Sequence, residues 1–123
     1  GYVKERRMRV ISTKTHGAID YLTGAGLLLA RPLLGISDEP AAVRVLRAAG
    51  LAATAYSLLT NYELGLLRII PMPAHLAMDA TSGVLVAASP WLFGFASRGP
   101  RYRLSHVVIG LAEVLAALTS KTR

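Results

Sequence analysis

Apolar residues fall in four blocks separated by short polar gaps, at about 17–36, 41–60, 69–95 and 104–119. At about 1.5 Å of rise per residue, each block is long enough as a helix to cross the ~30 Å hydrocarbon layer of a bilayer. The third block is the cleanest, with Asp79 as its only charge between Ile69 and Phe95; the fourth carries only Glu113 and His106. Arg31 lies near the end of the first block, and Arg44 and Arg47 near the start of the second. At such positions a long cationic side chain reaches the headgroups. A water-soluble bundle would need a polar face on every helix, and the third block has none. The pattern predicts an all-α fold, an integral membrane four-helix bundle.

Composition strengthens that reading. The 123 residues allow one domain; 53% are apolar, mean hydropathy is +0.44, and only 17% are charged, against about 25% in soluble domains. Cysteine is absent, which removes disulfides, thiolate metal sites and cysteine nucleophiles together. The net charge of +7 is confined largely to the gaps, as flanks of membrane spans are, rather than spread along a face as in a nucleic-acid binder. Eight basic residues (Lys4, Arg6, Arg7, Arg9, Lys14, Arg68, Lys121, Arg123) fall on the side of both termini and the central loop, and six (Arg31, Arg44, Arg47, Arg98, Arg101, Arg103) on the other. The positive-inside rule then places both termini in the cytoplasm. A basic start before an apolar run also fits a signal peptide. However, no small-x-small cleavage site follows Leu34 and the first block has a counterpart later in the chain, so it is expected to be retained. Met8 opens MRVISTKTHG and reads as a natural start, with GYVKERR upstream.

The counterpart appears when the chain is shifted by 59 residues. THGAIDYLTGAG at 15 then lies on AHLAMDATSGVL at 74, so that His16 meets His75, Asp20 meets Asp79, Gly24 meets Gly83 and Gly35 meets Gly94. ARPLLGI at 30–36 falls on SPWLFGF at 89–95, with Leu33 on Leu92; further on, Thr54 falls on Glu113 and Thr60 on Thr119. Self-similarity of this kind marks a duplicated unit. The expected organisation is a basic segment 1–14, a two-helix repeat 15–62, a connecting loop 63–73 and a second two-helix repeat 74–121. In SPWLFGF, Pro90 disfavours helix at the preceding Ser89 and removes a donor, Gly94 permits a turn, and Trp91 suits the membrane interface. Ser89, Pro90, Trp91 and Gly94 thus read as a helix terminator at the membrane surface.

HxxxDxxxG followed by SPWLFGF, with YSLLTNYELGLLRIIPMPAHLAMD between the copies, resembles the SPW repeat family of small bacterial membrane proteins over nearly all of residues 8–120. The chain is also similar, more distantly, to small multi-helix proteins linked to acid resistance. The family resemblance implies four helices in the bacterial inner membrane and no particular activity. The first copy departs from the pattern, with Ala30-Arg31-Pro32 where the second has Ser-Pro-Trp.

Two parallel copies of a two-span hairpin are related by an axis along the membrane normal, which sets His16 and His75 at equal depth with Asp20 and Asp79 one turn further in. An i,i+4 spacing keeps each His and Asp on one helical face. Glu113 falls level with the aspartates, and Tyr21, Tyr56 and Thr54 at comparable depth; His106 lies at the other end of its helix. Ionisable groups inside a membrane are costly and mark function by default. Four readings compete: a polar clasp between helices that Gly24 and Gly83 bring close, proton or ion handling, a divalent metal held by His16, His75, Asp20 and Asp79, and a haem between His16 and His75. No cofactor is required by the sequence. GAGLLL at 24–29 follows no strand, so it is not a dinucleotide fingerprint, and no nucleophile set is present. The expected protein is a non-enzymatic structural or accessory membrane subunit, alone, as a homo-oligomer or in a larger membrane complex, with proton or cation handling under stress as the alternative.

Overall fold

The computed structural model describes residues 9–30, 34–36 and 38–123. Among these are four α-helices: α1 (Thr13–Leu28), α2 (Pro40–Leu58), α3 (Met72–Leu92) and α4 (Pro100–Thr119). Each start is set by local chemistry. Ser12 accepts the Thr15 N–H at 3.1 Å to cap α1, as short hydroxyl residues do for the unpaired first-turn donors. The other three helices open on proline in the first turn, where its missing N–H costs nothing.

α1 packs on α2 and α3 on α4, with α2 also touching α3. Both tight contacts are made by glycine pairs. A Cβ on Gly50 would lie 3.0 Å from the Gly24 carbonyl, and one on Gly83 would lie 2.5 Å from the Gly110 carbonyl, so the backbones approach as small-residue interfaces allow. Gly24 and Gly83 therefore pack helices within each hairpin, and the polar contacts between hairpins lie elsewhere. One end of the bundle holds the turns after α1 and α3, joined by Arg98 to Asp38 at 3.0 Å. The other end holds Ile11, the C-terminal residues after α4 and the 59–71 connection. There Ile11 bridges Ser120 and Thr60 bridges Ile70, with Lys121 N–H donating to the Ile11 carbonyl and Asn61 N–H to the Ile70 carbonyl, each at 2.7 Å.

Matched features recur along the chain, but at two spacings. The first members of each hairpin keep the 59-residue shift: Gly35 and Gly94 both have positive φ, 63° and 75°, and Ile11 and Ile70 make the two bridges. The second members are shifted by 60: Pro40 and Pro100 open their helices, and Gly50 and Gly110 are the packing glycines. Pro40 follows Gly35 by five positions and Pro100 follows Gly94 by six, so the second turn holds one extra residue. Glu113 is therefore the structural counterpart of Ala53 rather than Thr54, and Ser120, not Thr119, that of Thr60.

The Ser-Pro-Trp stretch also differs from expectation. α3 continues through Ser89 and Pro90 to Leu92 and ends beyond them, at Phe93 and Gly94. Pro90 cannot donate to the Val86 carbonyl, but the Ser89 hydroxyl does so at 2.6 Å. That bond lets the helix run through a proline that otherwise breaks it. Trp91 is exposed, whereas Phe95 turns inward against His106 with ring centroids 4.8 Å apart. The corresponding Arg31, Pro32 and Leu33 lie outside the described residues. So does Ser37, and so do Met8 and the residues before it.

Alongside a buried apolar core that includes Leu27, Ile36, Leu46 and Phe95, polar side chains are buried to an extent unusual in a water-soluble domain, where serine, threonine and aspartate are mostly outside. His16, His75, His106, Ser57, Thr60, Ser89 and Ser120 are at most 1% exposed, whereas Leu22, Leu51, Leu104, Val108, Leu111 and Leu115 are each more than half exposed. Among the described residues one helix is long and apolar enough to cross a membrane, and it is α4 rather than the third block that the sequence marked as cleanest; only 22% of its most apolar window is buried.

Candidate functional site

The i,i+4 pairs of α1 and α3 meet between the hairpins. His16 Nε2 lies 3.1 Å from Asp20 Oδ1 and 2.7 Å from Asp79 Oδ2; His75 Nε2 lies 2.9 Å from Asp20 Oδ2 and 3.1 Å from Asp79 Oδ2. The result is a closed ring in which imidazole and carboxylate alternate. All four residues are nearly sealed from the surface, the aspartates at 8% and 6% exposure. The two imidazoles meet edge to face, 5.2 Å between centroids.

The outer ring nitrogens are fixed by the far ends of α2 and α4. His16 Nδ1 is 2.6 Å from Ser120 Oγ, and His75 Nδ1 is 2.7 Å from Thr60 Oγ1. Each hydroxyl already spends its single proton on the carbonyl one turn back, Ser120 on Ala116 and Thr60 on Tyr56, both at 2.6 Å. A hydroxyl in that state can only accept, so both Nδ1 atoms carry hydrogen and both Nε2 atoms face the aspartates. The tautomers are thus inferred from the network. The hydroxyls are themselves held, since Thr60 and Ser120 form the two backbone bridges.

Two phenols complete the ring. Tyr62 donates to Asp20 Oδ2 at 2.8 Å and Tyr56 donates to Asp79 Oδ1. One donor stays unmatched: His75 Nε2, despite its proximity to both carboxylates, has no aligned hydrogen-bond partner among the described residues. Burying such a group is costly unless something satisfies it.

Of the residues expected here, His16, Asp20, His75, Asp79 and Tyr56 come together. Glu113 is level with them and lines the same cavity of about 350 Å³ as Asp20, Asp79 and Tyr56, without joining the ring. Tyr21 does not belong: one residue beyond Asp20 it is turned off the shared face, and its hydroxyl donates to the Leu64 carbonyl at 2.8 Å. Thr54 does not belong either, since it donates to the Gly50 carbonyl within α2. His106 sits at the other end, as expected, against the Tyr102 and Ala42 carbonyls. The haem arrangement fails on geometry. Axial imidazoles must face a porphyrin from opposite sides, but these rings touch edge to face and carry carboxylates on the nitrogens that would bind iron. Tyr62, Thr60 and Ser120 are the partners that residue spacing did not expose.

This is an all-helical protein with a sealed histidine–aspartate ring between its helix pairs. The model of the SPW repeat domain matches residues 14–120, and the chain belongs to that family. Searches of curated proteins and of solved structures return no match.

Proposed function

We propose that the chain is a multi-pass membrane protein made of two tandem helical hairpins, with a structural or accessory rather than catalytic role, and that the histidine–aspartate ring is the clasp that locks the hairpins together. The observation that carries this reading is the crosswise pairing. His16 of the first hairpin bonds Asp79 and Ser120 of the second, and His75 of the second contacts Asp20 and Thr60 of the first. The outward leucines and inward polar groups support the membrane assignment, because a lipid-facing surface is apolar and polar side chains then act between helices. The matched glycines, prolines and bridges support the duplication.

A double-mutant cycle of Asp20→Asn and Asp79→Asn, read as unfolding in mild detergent with a chelator present, tests the clasp. Each loss is expected to cost ~1–3 kcal/mol, or nearer the ~0.6 kcal/mol average of transmembrane pairs. The double loss should cost less than the sum, because the second substitution strands partners already unpaired. Additive losses would mean that the hairpins are not joined through this ring.

A further inference from the structure

We propose that His16, Asp20, His75 and Asp79 form a binding site for one divalent first-row transition-metal ion. The site uses the same ring as the clasp but does not depend on the clasp's energetic role. One nitrogen or oxygen from each of the four residues lies within 4.8 Å of every other. Asp79 Oδ2 stands 2.7 and 3.1 Å from Nε2 of His16 and His75, while Asp20 offers Oδ1 to His16 at 3.1 Å and Oδ2 to His75 at 2.9 Å. Around an ion with bonds of about 2.1 Å, ligands at right angles stand about 3.0 Å apart, so each N-to-O contact has the spacing of neighbouring ligands on one ion.

Two further features favour an ion over a purely hydrogen-bonded ring, and charge balance permits it. Both imidazoles have Nδ1–H tied to a hydroxyl and Nε2 aimed inward, the arrangement in which an outer partner fixes a metal-binding histidine. His75 is fully buried, and its Nε2 has no aligned hydrogen-bond partner; a lone pair on a metal would satisfy it. With Nδ1–H fixed, an Nε2 that bonds a carboxylate carries the second proton, so the ring without an ion is two imidazolium–carboxylate pairs of no net charge, and a dication that displaces the two Nε2 protons leaves the site neutral as well. Imidazole donors select first-row transition metals over magnesium and calcium, which prefer all-oxygen sites. The aspartates also line the 350 Å³ cavity, which gives an ion a way in and room for a further oxygen ligand.

The test uses the full chain in detergent, stripped with chelator and titrated with Co²⁺, with Zn²⁺ as competitor. One Co²⁺ per chain is expected, with visible d–d bands displaced by Zn²⁺. His16→Asn and His75→Asn should each weaken binding by more than about 100-fold, and Ser120→Ala, which frees only the outer nitrogen, by about 10-fold. The Co²⁺-loaded wild-type protein should show two exchangeable, hyperfine-shifted proton signals from the two Nδ1–H groups. Substoichiometric Co²⁺ in folded wild-type protein would overturn the site, as would equal binding by the His16→Asn/His75→Asn double variant. Should that variant not fold, absence of the shifted signals in the wild type is decisive alone. The clasp is measured without metal, so coupling without Co²⁺ binding sinks only this site, and Co²⁺ binding without coupling sinks only the clasp.

Discussion

The Ser89 hydroxyl donates to the Val86 carbonyl at 2.6 Å, the acceptor that Pro90 leaves without its usual partner. A helix N–H bonds the carbonyl four residues back, so this is the bond that proline deletes. Serine before proline is therefore a repair, and it explains how α3 reaches Leu92 and carries Trp91 outward and Phe95 inward. Ser89→Ala should cost about 1–3 kcal/mol, the penalty of an unpaired buried carbonyl. Ser89→Ala/Pro90→Ala should recover most of that loss, because alanine at 90 restores the N–H. Unfolding in mild detergent measures both, and a double variant no better than the single would refute the repair.

At the same end of the bundle the Tyr102 hydroxyl and the Arg98 guanidinium both donate to Asp38. Tyr102 first, with Arg98 adding to it, holds the exposed Asp38 carboxyl below its ordinary value. A group depressed in the folded state contributes stability that is present above its unfolded pKa, near ~3.9, and lost as pH falls through the folded pKa. Asp38→Asn should therefore lower the thermal midpoint at neutral pH, and the gap to wild type should close below about pH 4. A gap independent of pH would remove Asp38 ionisation from the account.

In the proposed orientation the turn after α3 faces outward and the C-terminal end faces the cytoplasm. Ser97 lies in the exposed turn after α3, at the opposite end from Thr122. With both termini cytoplasmic, Ser97→Cys should react with an impermeant thiol reagent in intact cells and Thr122→Cys only after permeabilisation. The reverse pattern inverts the topology, and reaction of both from outside contradicts an even number of crossings.

The meeting of the histidines and aspartates was legible because each pair sits on one helical face and the two pairs share a fixed spacing, although four roles stayed open for them. The hydroxyls were not, for a local reason. The turn between Gly94 and Pro100 is one residue longer than that between Gly35 and Pro40, so an unbroken shift aligns Thr60 with Thr119, while the structure gives the role to Ser120. Tyr62 was hidden because it follows the end of α2, where position depends on how the 59–71 connection folds back rather than on periodicity. Tyr21 misled for the opposite reason, since depth alone matched it to the ring and a rotation of about 100° from Asp20 sends it to Leu64. The full reach of α3 was missed because the rule for proline considers the lost donor, and the replacement came from the residue beside it.

Under the proposed duplication in a membrane, the crosswise bonds have a consequence for ancestry. A single hairpin supplies a histidine and an aspartate but not the hydroxyl that fixes its own histidine's outer nitrogen, because His16 takes Ser120 and His75 takes Thr60. An unduplicated ancestor could complete the site only by pairing with a second copy of itself about a twofold axis, so its folding would have varied with its abundance in the membrane, as for any obligate homodimer. Fusion of two such copies through the 59–71 connection would replace that encounter with an effective concentration of order millimolar. It would also leave the halves free to differ, as their residues do: Tyr56 and Tyr62 both come from the first half, while Glu113 stands in the second where the first has Ala53.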